Sequence, residues 1–260
     1  MQTLTVDFQK RYDIAEVLNC FNGGQKTVYI IKDKSGKKMA MKVFIDCTSR
    51  DIQELDILSR FNSVDGISKI IKIEDYQGKP ILFEEYIDAP DLQDIMNSYQ
   101  GDVSKVKDLI KNVAHILKPI WVERIIHRDL KPKNIKILES NKPVILDFGI
   151  ARDLSAQSLT ATGDSQPMSW DYAAPEQYSR DKNTISYRTD FFSLGVIAYR
   201  LYYQKHPFGN TKAEIEQKFL SKNNIFDLIP NDSLNNFFLA TLMINPSGRP
   251  RNVEMLVKTL

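Results

Sequence analysis

The spacing of apolar residues changes near Pro90, and this change constrains the fold more than any other feature of the sequence. Before Pro90, apolar residues form short β-branched or alternating segments separated by turn residues. After Pro90, they recur mainly at helical spacing, as in residues 102–120. The sequence therefore predicts an α+β fold, with a small β-rich N-terminal lobe and a larger, mostly helical C-terminal lobe.

The small lobe is predicted to contain several strands and one main helix. The expected strands are residues 16–20, 27–33, 37–45, 67–75 and 81–87. The expected helix covers residues 49–61, because its apolar residues recur at helical spacing. Its buried stripe is predicted to be Ile52, Leu55, Leu58 and Phe61.

Composition and charge exclude several classes of protein. The net charge of the 260 residues is +2, too balanced to indicate a nucleic-acid-binding surface. The most apolar stretch, residues 191–199, is far shorter than the roughly 20 residues that cross a bilayer. The first residues do not resemble a signal peptide, and Cys20 and Cys47 match neither a zinc site nor a disulfide framework. We therefore expect a protein with no nucleic-acid partner and no membrane anchor, in a reducing compartment.

Polar side chains with complementary chemistry cluster in the segment "IIHRDLKPKN", residues 125–134. It contains Asp129, Lys131 and Asn134, and Asp147 of "DFG" follows thirteen residues after Asn134. The two leading isoleucines are expected to anchor this loop in the core. The polar residues are then expected to form the floor of a pocket.

These segments resemble the eukaryotic-type Ser/Thr protein kinases, which carry H-R-D-L-x-x-x-N and D-F-G. Further resemblances occur in the family's order across roughly residues 12–258. They are "MAMKVF", "YAAPEQ", "RTDFFSLGV" and "NPSGRP". The resemblance implies a bilobal protein kinase-like fold, with one domain over residues 1–260. The N-lobe would cover about 1–87, the hinge about 85–90 and the C-lobe about 91–260.

The resemblance also implies which residues bind the nucleotide. Lys42 would contact the α- and β-phosphates of ATP, and Glu54, twelve residues later, would hold Lys42 in place. The other implied contacts are Gly23, Gly24 and Val28 near the phosphates, the backbone of Glu85 and Ile87 at the adenine edge, and Asp91 at the ribose.

Four residues are implied to carry out the chemistry. Asp129 would orient the substrate hydroxyl and accept its proton, and Lys131 would lie beside the γ-phosphate. Asn134 and Asp147 would bind Mg²⁺, with Mn²⁺ as an alternative ion. His127 is expected to pack rather than to transfer protons. Neither Lys42 nor Asp147 belongs to an apolar stripe, so both are expected to be dispensable for folding.

Two segments depart from the family pattern. In the nucleotide-covering loop only Gly23 and Gly24 remain of the usual glycines, and Asn19 and Phe21 stand near the first two glycine positions. The phenylalanine would either cap the phosphates or block them. Glu84 falls at the gatekeeper position before the hinge, where a carboxylate is costly to bury unless it is paired. Either Glu84 has a partner, or the register is shifted by one residue.

The large lobe carries two further expected contacts. Glu176 of "APE" and Arg249 are predicted to form a buried ion pair, and Asp190 is expected to brace the catalytic loop. Residues 150–170 are rich in Ser, Thr, Asp and Gly, and are predicted to form a long surface loop. The pair Thr160 and Thr162 resembles the autophosphorylation pair of bacterial kinases, which implies a transient homodimer for reaction in trans.

Three functions remain open on the sequence alone. The first is transfer of the γ-phosphoryl group of ATP to Ser or Thr of protein substrates. The second is a pseudokinase scaffold with impaired nucleotide binding, and the third is a small-molecule phosphotransferase. "APEQ" and Ser169, near the family's substrate-facing threonine, favour protein substrates. The compact chain resembles bacterial or phage-encoded kinases, located in the cytoplasm or delivered into another cell's cytosol.

Overall fold

The computed structural model describes residues 4–23, 26–45, 49–148, 152–153, 169–179, 183–221, 226–229 and 232–260. The side chains of residues 49–51, 53, 54, 152 and 153 lie outside this description. The chain divides into two compact units, residues 1–88 and 89–260. Among the described helices, none combines the length and apolar character that crossing a bilayer requires.

The first unit is built on one antiparallel sheet with strand order β1-β2-β3-β5-β4. Its strands are β1 Ile14–Asn22, β2 Lys26–Asp33, β3 Lys38–Phe44, β4 Ile70–Tyr76 and β5 Lys79–Glu85. Its helices are α1 Val6–Arg11 and α2 Ser49–Arg60.

The two faces of this sheet carry different side chains, because successive residues of a strand point to opposite faces. The odd-numbered residues of β2, β3 and β5 pack with α1 in an apolar cluster. Its buried members are Phe8, Tyr12, Ile14, Tyr29, Ile31, Met39, Met41, Ile81 and Phe83. Val28, Lys42 and Leu82 are aligned across β2, β3 and β5 on the other face. The sheet therefore places Lys42 on the face that is turned away from this apolar cluster.

The predicted elements of the first unit need two corrections. Helix α1 was missed, because a helix of six residues is too short to show a clear period. The predicted buried stripe of α2 is also partly wrong. Ile57, Leu58 and Phe61 are buried, whereas Ile52 is 60% exposed. The apolar residues of α2 span more than one stripe, and only packing decides which of them face the core.

The second unit is mostly helical. Its helices are α3 Val103–Val122, α4 Pro175–Tyr178, α5 Tyr187–Tyr203, α6 Lys212–Leu220, α7 Asn235–Thr241 and α8 Val253–Lys258. Short antiparallel pairs join β6 Ile125–Ile126 to β9 Arg152–Asp153, and β7 Ile135–Ile137 to β8 Pro143–Ile145. Single 3₁₀ turns occur at Met96–Tyr99, Pro132–Asn134 and Pro246–Gly248.

Helix α5 forms the centre of the second unit. Thirteen of its seventeen residues are buried, which agrees with its nearly continuous apolar sequence. Ser186 caps its N-terminus, and the helix packs against α3, α7 and β6. Because α5 is held on several sides, its buried polar side chains provide fixed anchor points for the loops that contact it.

Candidate active site

The loop between β6 and β7 gathers three of the predicted site residues. The Lys131 ammonium donates to Asp129 Oδ2 over 2.6 Å and to Ser169 Oγ over 2.7 Å. Asn134 Nδ2 donates to the Asp129 carbonyl oxygen over 2.9 Å and lies 3.3 Å from Oδ2. The Asp129 carboxylate is therefore held by an ammonium and an amide, and Ser169 is linked to it through Lys131.

Asn134 and Asp147 are brought together by the pairing of β7 with β8. Ile135 lies opposite Ile145, and the Leu146 N–H donates to the Asn134 carbonyl oxygen over 2.9 Å. This register places Asp147 beside the start of β7. Since Asn134 Nδ2 is engaged with Asp129, the amide oxygen is the Asn134 atom suited to a cation. An amide oxygen and a carboxylate are hard donors of the kind that Mg²⁺ prefers, so the two residues fit such an ion.

Two residues of this region have left-handed backbone conformations that are uncommon outside glycine. Arg128 has φ of +68° and Asp147 has φ of +58°. Such conformations persist where the surroundings hold them, and they cluster at functional sites. They turn the chain sharply beside Asp129 and at the start of the "DFG" segment.

Asp190 of α5 supports the catalytic loop, which is the segment between β6 and β7 that contains Asp129. Its side chain is fully buried, and it accepts hydrogen bonds from the N–H groups of His127 and Arg128, both over 2.9 Å. It also accepts one from Trp121 Nε1 over 2.8 Å. Burial raises the pKa of Asp190, while the adjacent His127 and these donors act to lower it. The sequence indicated the brace but not the tryptophan, which looked like an ordinary core residue of α3.

His127 packs within the core of the second unit. It is fully buried, and its ring lies 4.7 Å from the ring of Phe148. Its Nε2 is 3.3 Å from the carbonyl oxygen of Leu146. These contacts tie the loop to the "DFG" segment and match a packing role.

The predicted pair of Glu176 and Arg249 is confirmed. Arg249 Nη1 and Nη2 contact Glu176 Oε1 and Oε2 over 2.7 and 2.9 Å, and both side chains are buried. Thr189 Oγ1 donates to Glu176 Oε1 over 2.8 Å. Gln177, which the sequence analysis missed, donates through Nε2 to the Arg128 carbonyl oxygen over 2.9 Å. Its position directly after "APE" was the available signal, and it connects α4 to the catalytic loop.

Asp91, predicted to contact the ribose, is engaged with the segment after the catalytic loop. Lys136 Nζ lies 2.9 Å from Asp91 Oδ1 and donates to the Ala89 carbonyl oxygen over 2.8 Å. The ribose contact stays a prediction.

In the first unit, β1 and β2 are paired as far as Asn22 and Thr27, beyond the predicted end of β1. Phe21 is paired with Val28, and its side chain is 54% exposed. The Gly23 N–H donates to the Lys26 carbonyl oxygen over 2.9 Å, and a Cβ atom at Gly23 would lie only 2.9 Å from that oxygen. Gly23 is therefore required by the hairpin itself, whatever its role toward a nucleotide.

The predicted hinge, residues 85–90, overlaps the end of β5 at Glu85. The Glu85 N–H donates to the Lys69 carbonyl oxygen over 2.9 Å, and Glu85 Oε1 accepts from the Lys69 N–H over 3.1 Å. The carbonyl of Glu85 is therefore the backbone group better suited to meet an adenine edge. Ile87 is partly buried.

Lys42 and Glu84 form a buried ion pair within the first unit. Lys42 Nζ lies 2.7 Å from Glu84 Oε2, and the side chains are 8% and 4% exposed. Of the two alternatives that the sequence left open, the structure shows a paired Glu84. That Lys42 is dispensable for folding stays a prediction, and this pair indicates a stability cost for its removal, because Glu84 would then be buried without its partner.

Four predicted residues cannot be placed here. Gly24, Thr160 and Thr162 lie outside the described residues, and the Glu54 side chain is not described although its backbone belongs to α2.

Residues 14–257 match the protein kinase domain family. The chain therefore belongs to this family, which confirms the predicted fold class. Similar proteins include the serine/threonine-protein kinase AfsK of Streptomyces coelicolor, 26% identical over 90% of this chain and 30% of the relative. The serine/threonine-protein kinase PknB of Mycolicibacterium smegmatis is 28% identical over 76% of this chain and 33% of the length of that relative. The serine/threonine-protein kinase MPS1 of Encephalitozoon cuniculi is 28% identical over 70% of this chain and 33% of the length of that relative. This chain thus spans about a third of the length of these relatives.

Proposed function

We propose that this protein transfers the γ-phosphoryl group of ATP to Ser or Thr hydroxyls of protein substrates. The observation that carries this proposal is the Asp129 carboxylate held by Lys131, which also contacts Ser169. Lys131 belongs to the D-L-K-P-x-N form of the loop, which resembles the Ser/Thr branch of the family, and the relatives are named serine/threonine kinases.

We assign a separate role in phosphoryl transfer to each polar residue of the catalytic loop. The described contacts of the Asp129 carboxylate with Lys131 and Asn134 are made to Oδ2. We therefore assign acceptance of the substrate proton to Oδ1. Lys131 would add positive charge beside the transferred group, whose oxygens carry the charge in the transition state. Asp190 binds the N–H of Arg128 and Gln177 binds its carbonyl oxygen, so the backbone directly before Asp129 is held and the carboxylate needs little reorganisation.

The nucleotide and its ion are assigned to the remaining residues. Lys42 would contact the phosphates, and Asn134 and Asp147 would hold Mg²⁺, with Mn²⁺ as an alternative. A divalent ion supplies positive charge to the phosphate oxygens. The backbone of Glu85 and Ile87 would position the base.

Substitution of two carboxylates tests this proposal. Asp129→Asn should keep Mg·ATP binding but reduce transfer of labelled phosphate to casein by at least about 100-fold, because the proton acceptor is lost. Asp147→Asn should weaken Mg²⁺-dependent ATP binding. Asp227→Asn, at an exposed carboxylate paired with Lys205, serves as the control and should keep wild-type rates.

Other outcomes would favour the alternatives. A wild-type protein that binds Mg·ATP but phosphorylates no protein, itself included, would indicate a pseudokinase. Transfer to aminoglycosides or choline in place of casein would indicate a small-molecule phosphotransferase. Undiminished transfer by Asp129→Asn would contradict the assigned mechanism.

We further propose autophosphorylation at Thr160, Thr162 or both, in trans through a transient homodimer. Phosphate there would add about −1.5 to −2 charges, which can order a segment opposite an arginine such as Arg128. Mass spectrometry should find phosphate on wild-type protein and none on Asp129→Asn produced alone. Active protein mixed with tagged Asp129→Asn should phosphorylate the tagged chain. We expect the phosphorylated protein to be more active, so a Thr160→Ala, Thr162→Ala variant with full activity would contradict this regulatory role.

A further inference from the structure

The ion pair between Lys42 and Glu84 is built by the sheet itself. Lys42 on β3 lies directly opposite Leu82 on β5, so Lys42 and Glu84 are diagonal neighbours on one face of the sheet. Diagonal neighbours in an antiparallel pair are about 7–8 Å apart, a gap that only long side chains can bridge. A lysine and a glutamate bridge it here with a contact of 2.7 Å.

The surroundings of this pair make it an unfavourable way to stabilise the sheet. The neighbours of Glu84 on β5, Leu82 and Phe83, are fully buried. Glu84 Oε1 is also buried, and within the described part of the chain it has no hydrogen-bond partner. Burying two charges costs free energy that their attraction often fails to offset, and an unsatisfied carboxylate oxygen adds to that cost. A pair of apolar side chains would stabilise the same site at least as well.

We infer that Glu84 is a positioning residue for Lys42, and that it sets where the lysine ammonium meets the phosphates of ATP. This inference rests on the proposed function and adds to it a residue that the family pattern does not supply. An ammonium has three N–H donors, so a contact with Glu84 is compatible with simultaneous phosphate contacts.

The position of Glu84 has a consequence for control of the site. In protein kinases the strand lysine is held by a glutamate on a helix, and the placement of that helix regulates activity. Glu84 lies on a strand that is hydrogen-bonded to the strand of Lys42. The separation of these two residues is fixed by the sheet. The contact between Lys42 and Glu84 therefore does not depend on the placement of helix α2.

Binding of two ligands separates this role from simple stabilisation. Glu84→Gln keeps the shape of the side chain and removes its charge, so the Lys42 ammonium should lose its defined position. Calorimetry should then show Mg·ATP binding about ten-fold weaker than in the wild-type protein, with adenosine binding unchanged, because adenosine has no phosphates. Glu74→Gln is the matched control, since Glu74 is a partly exposed, lysine-paired carboxylate on β4 of the same sheet. It should match the wild-type protein for both ligands.

A double substitution tests whether Glu84 acts through Lys42. Lys42→Met combined with Glu84→Met replaces the buried pair by apolar side chains, a change that proteins often tolerate. If Glu84 acts through the lysine, the double variant should bind Mg·ATP no more weakly than Lys42→Met. Should Glu84→Gln fail to fold, Glu84→Asp keeps the charge but shortens its reach, and it should weaken Mg·ATP binding while sparing adenosine.

Several results would overturn the inference. Unchanged or tighter Mg·ATP binding by the Glu84 variants would show that Glu84 does not place Lys42 for phosphate binding. Equal losses for Mg·ATP and adenosine would show a contact with the base or a general structural effect. Additive losses in the double variant would show that Glu84 acts independently of Lys42. A wild-type protein that binds no Mg·ATP would overturn the proposed function as well.

Discussion

At the scale of single residues, the buried pair of Glu176 and Arg249 is held by several hydrogen bonds. Glu176 and Arg249 are bonded twice to each other, and the guanidinium also donates to the carbonyl oxygens of Met243 and Arg188. The guanidinium lies 4.8 Å from the centre of the Phe192 ring. The bidentate geometry cannot be reproduced by a lysine.

Arg249→Ala should lower the free energy of unfolding by about 3–5 kcal/mol, because it leaves the Glu176 carboxylate buried without its partner. Thermal or urea unfolding would measure the loss. Lys118→Ala is the matched control, because it breaks an exposed pair with Glu254 and should change the stability much less than Arg249→Ala. Similar losses in the two variants would contradict the assignment of the Arg249 pair as a core interaction.

At the scale of elements, the close approach of α5 and α7 fixes the centre of the second unit. Gly195 of α5 faces the end of α7. A Cβ atom at Gly195 would lie 2.9 Å from Leu242 Cδ2 and from Thr241 Cβ, and closer still to Thr241 Oγ1. The absence of a side chain at Gly195 is therefore what lets the two helices pack at this distance.

Gly195→Ala should destabilise the protein, although alanine is the better helix former by about 1 kcal/mol. The added methyl group would force the packed helices apart, which costs about 1–3 kcal/mol and so outweighs the helix propensity of alanine. The melting temperature should fall. Asn112→Ala, at an exposed position of α3, provides the control and should raise the melting temperature slightly. A higher melting temperature for Gly195→Ala would contradict the close packing.

At the scale of the whole molecule, acid stability should depend on His206. Its Nε2 contacts the Asp171 carbonyl oxygen over 3.1 Å, and its Nδ1 accepts from the Phe208 N–H over 3.1 Å. Burial first, and then the positive charges of Arg200 and Lys218, lower the pKa of His206 from 6.5 to about 4, although Asp171 opposes this shift. Protonation at Nδ1 would break the bond to Phe208.

The sign of the pH effect follows from this lowered pKa. Between pH 6.5 and 4 the unfolded chain binds a proton at His206 that the folded protein does not, so stability falls as pH drops through this window. The free energy of unfolding at pH 5 should be about 2 kcal/mol lower than at pH 7.5 because of His206. His206→Asn keeps an acceptor for Phe208 and should lack this part of the pH dependence. Equal losses in the two proteins, measured by urea unfolding at both pH values, would contradict the assignment.

The sequence alone determined the fold class and the family, because these depend on periodicity and on the order of short motifs. The strands of the first unit and the long helix α3 followed from the spacing of apolar residues, and α5 followed from its nearly continuous apolar sequence. Asp129, Asn134 and Asp147 could be proposed as site residues because their spacing along the chain is itself the signal, and their roles stay predictions. The pairing of Glu176 with Arg249 also followed from matched motifs.

Only the tertiary structure decided which side chains meet across elements. Nothing in the sequence distinguishes Trp121 as a partner of Asp190, because a tryptophan on an amphipathic helix has the pattern of an ordinary core residue. The buried face of α2 was likewise set by packing, which left Ile52 exposed. The pairing of Lys42 with Glu84 depends on the register of β3 against β5, and a shift of one residue would turn Glu84 to the other face. Local patterns specify elements, whereas contacts between residues distant along the chain arise only when the elements pack.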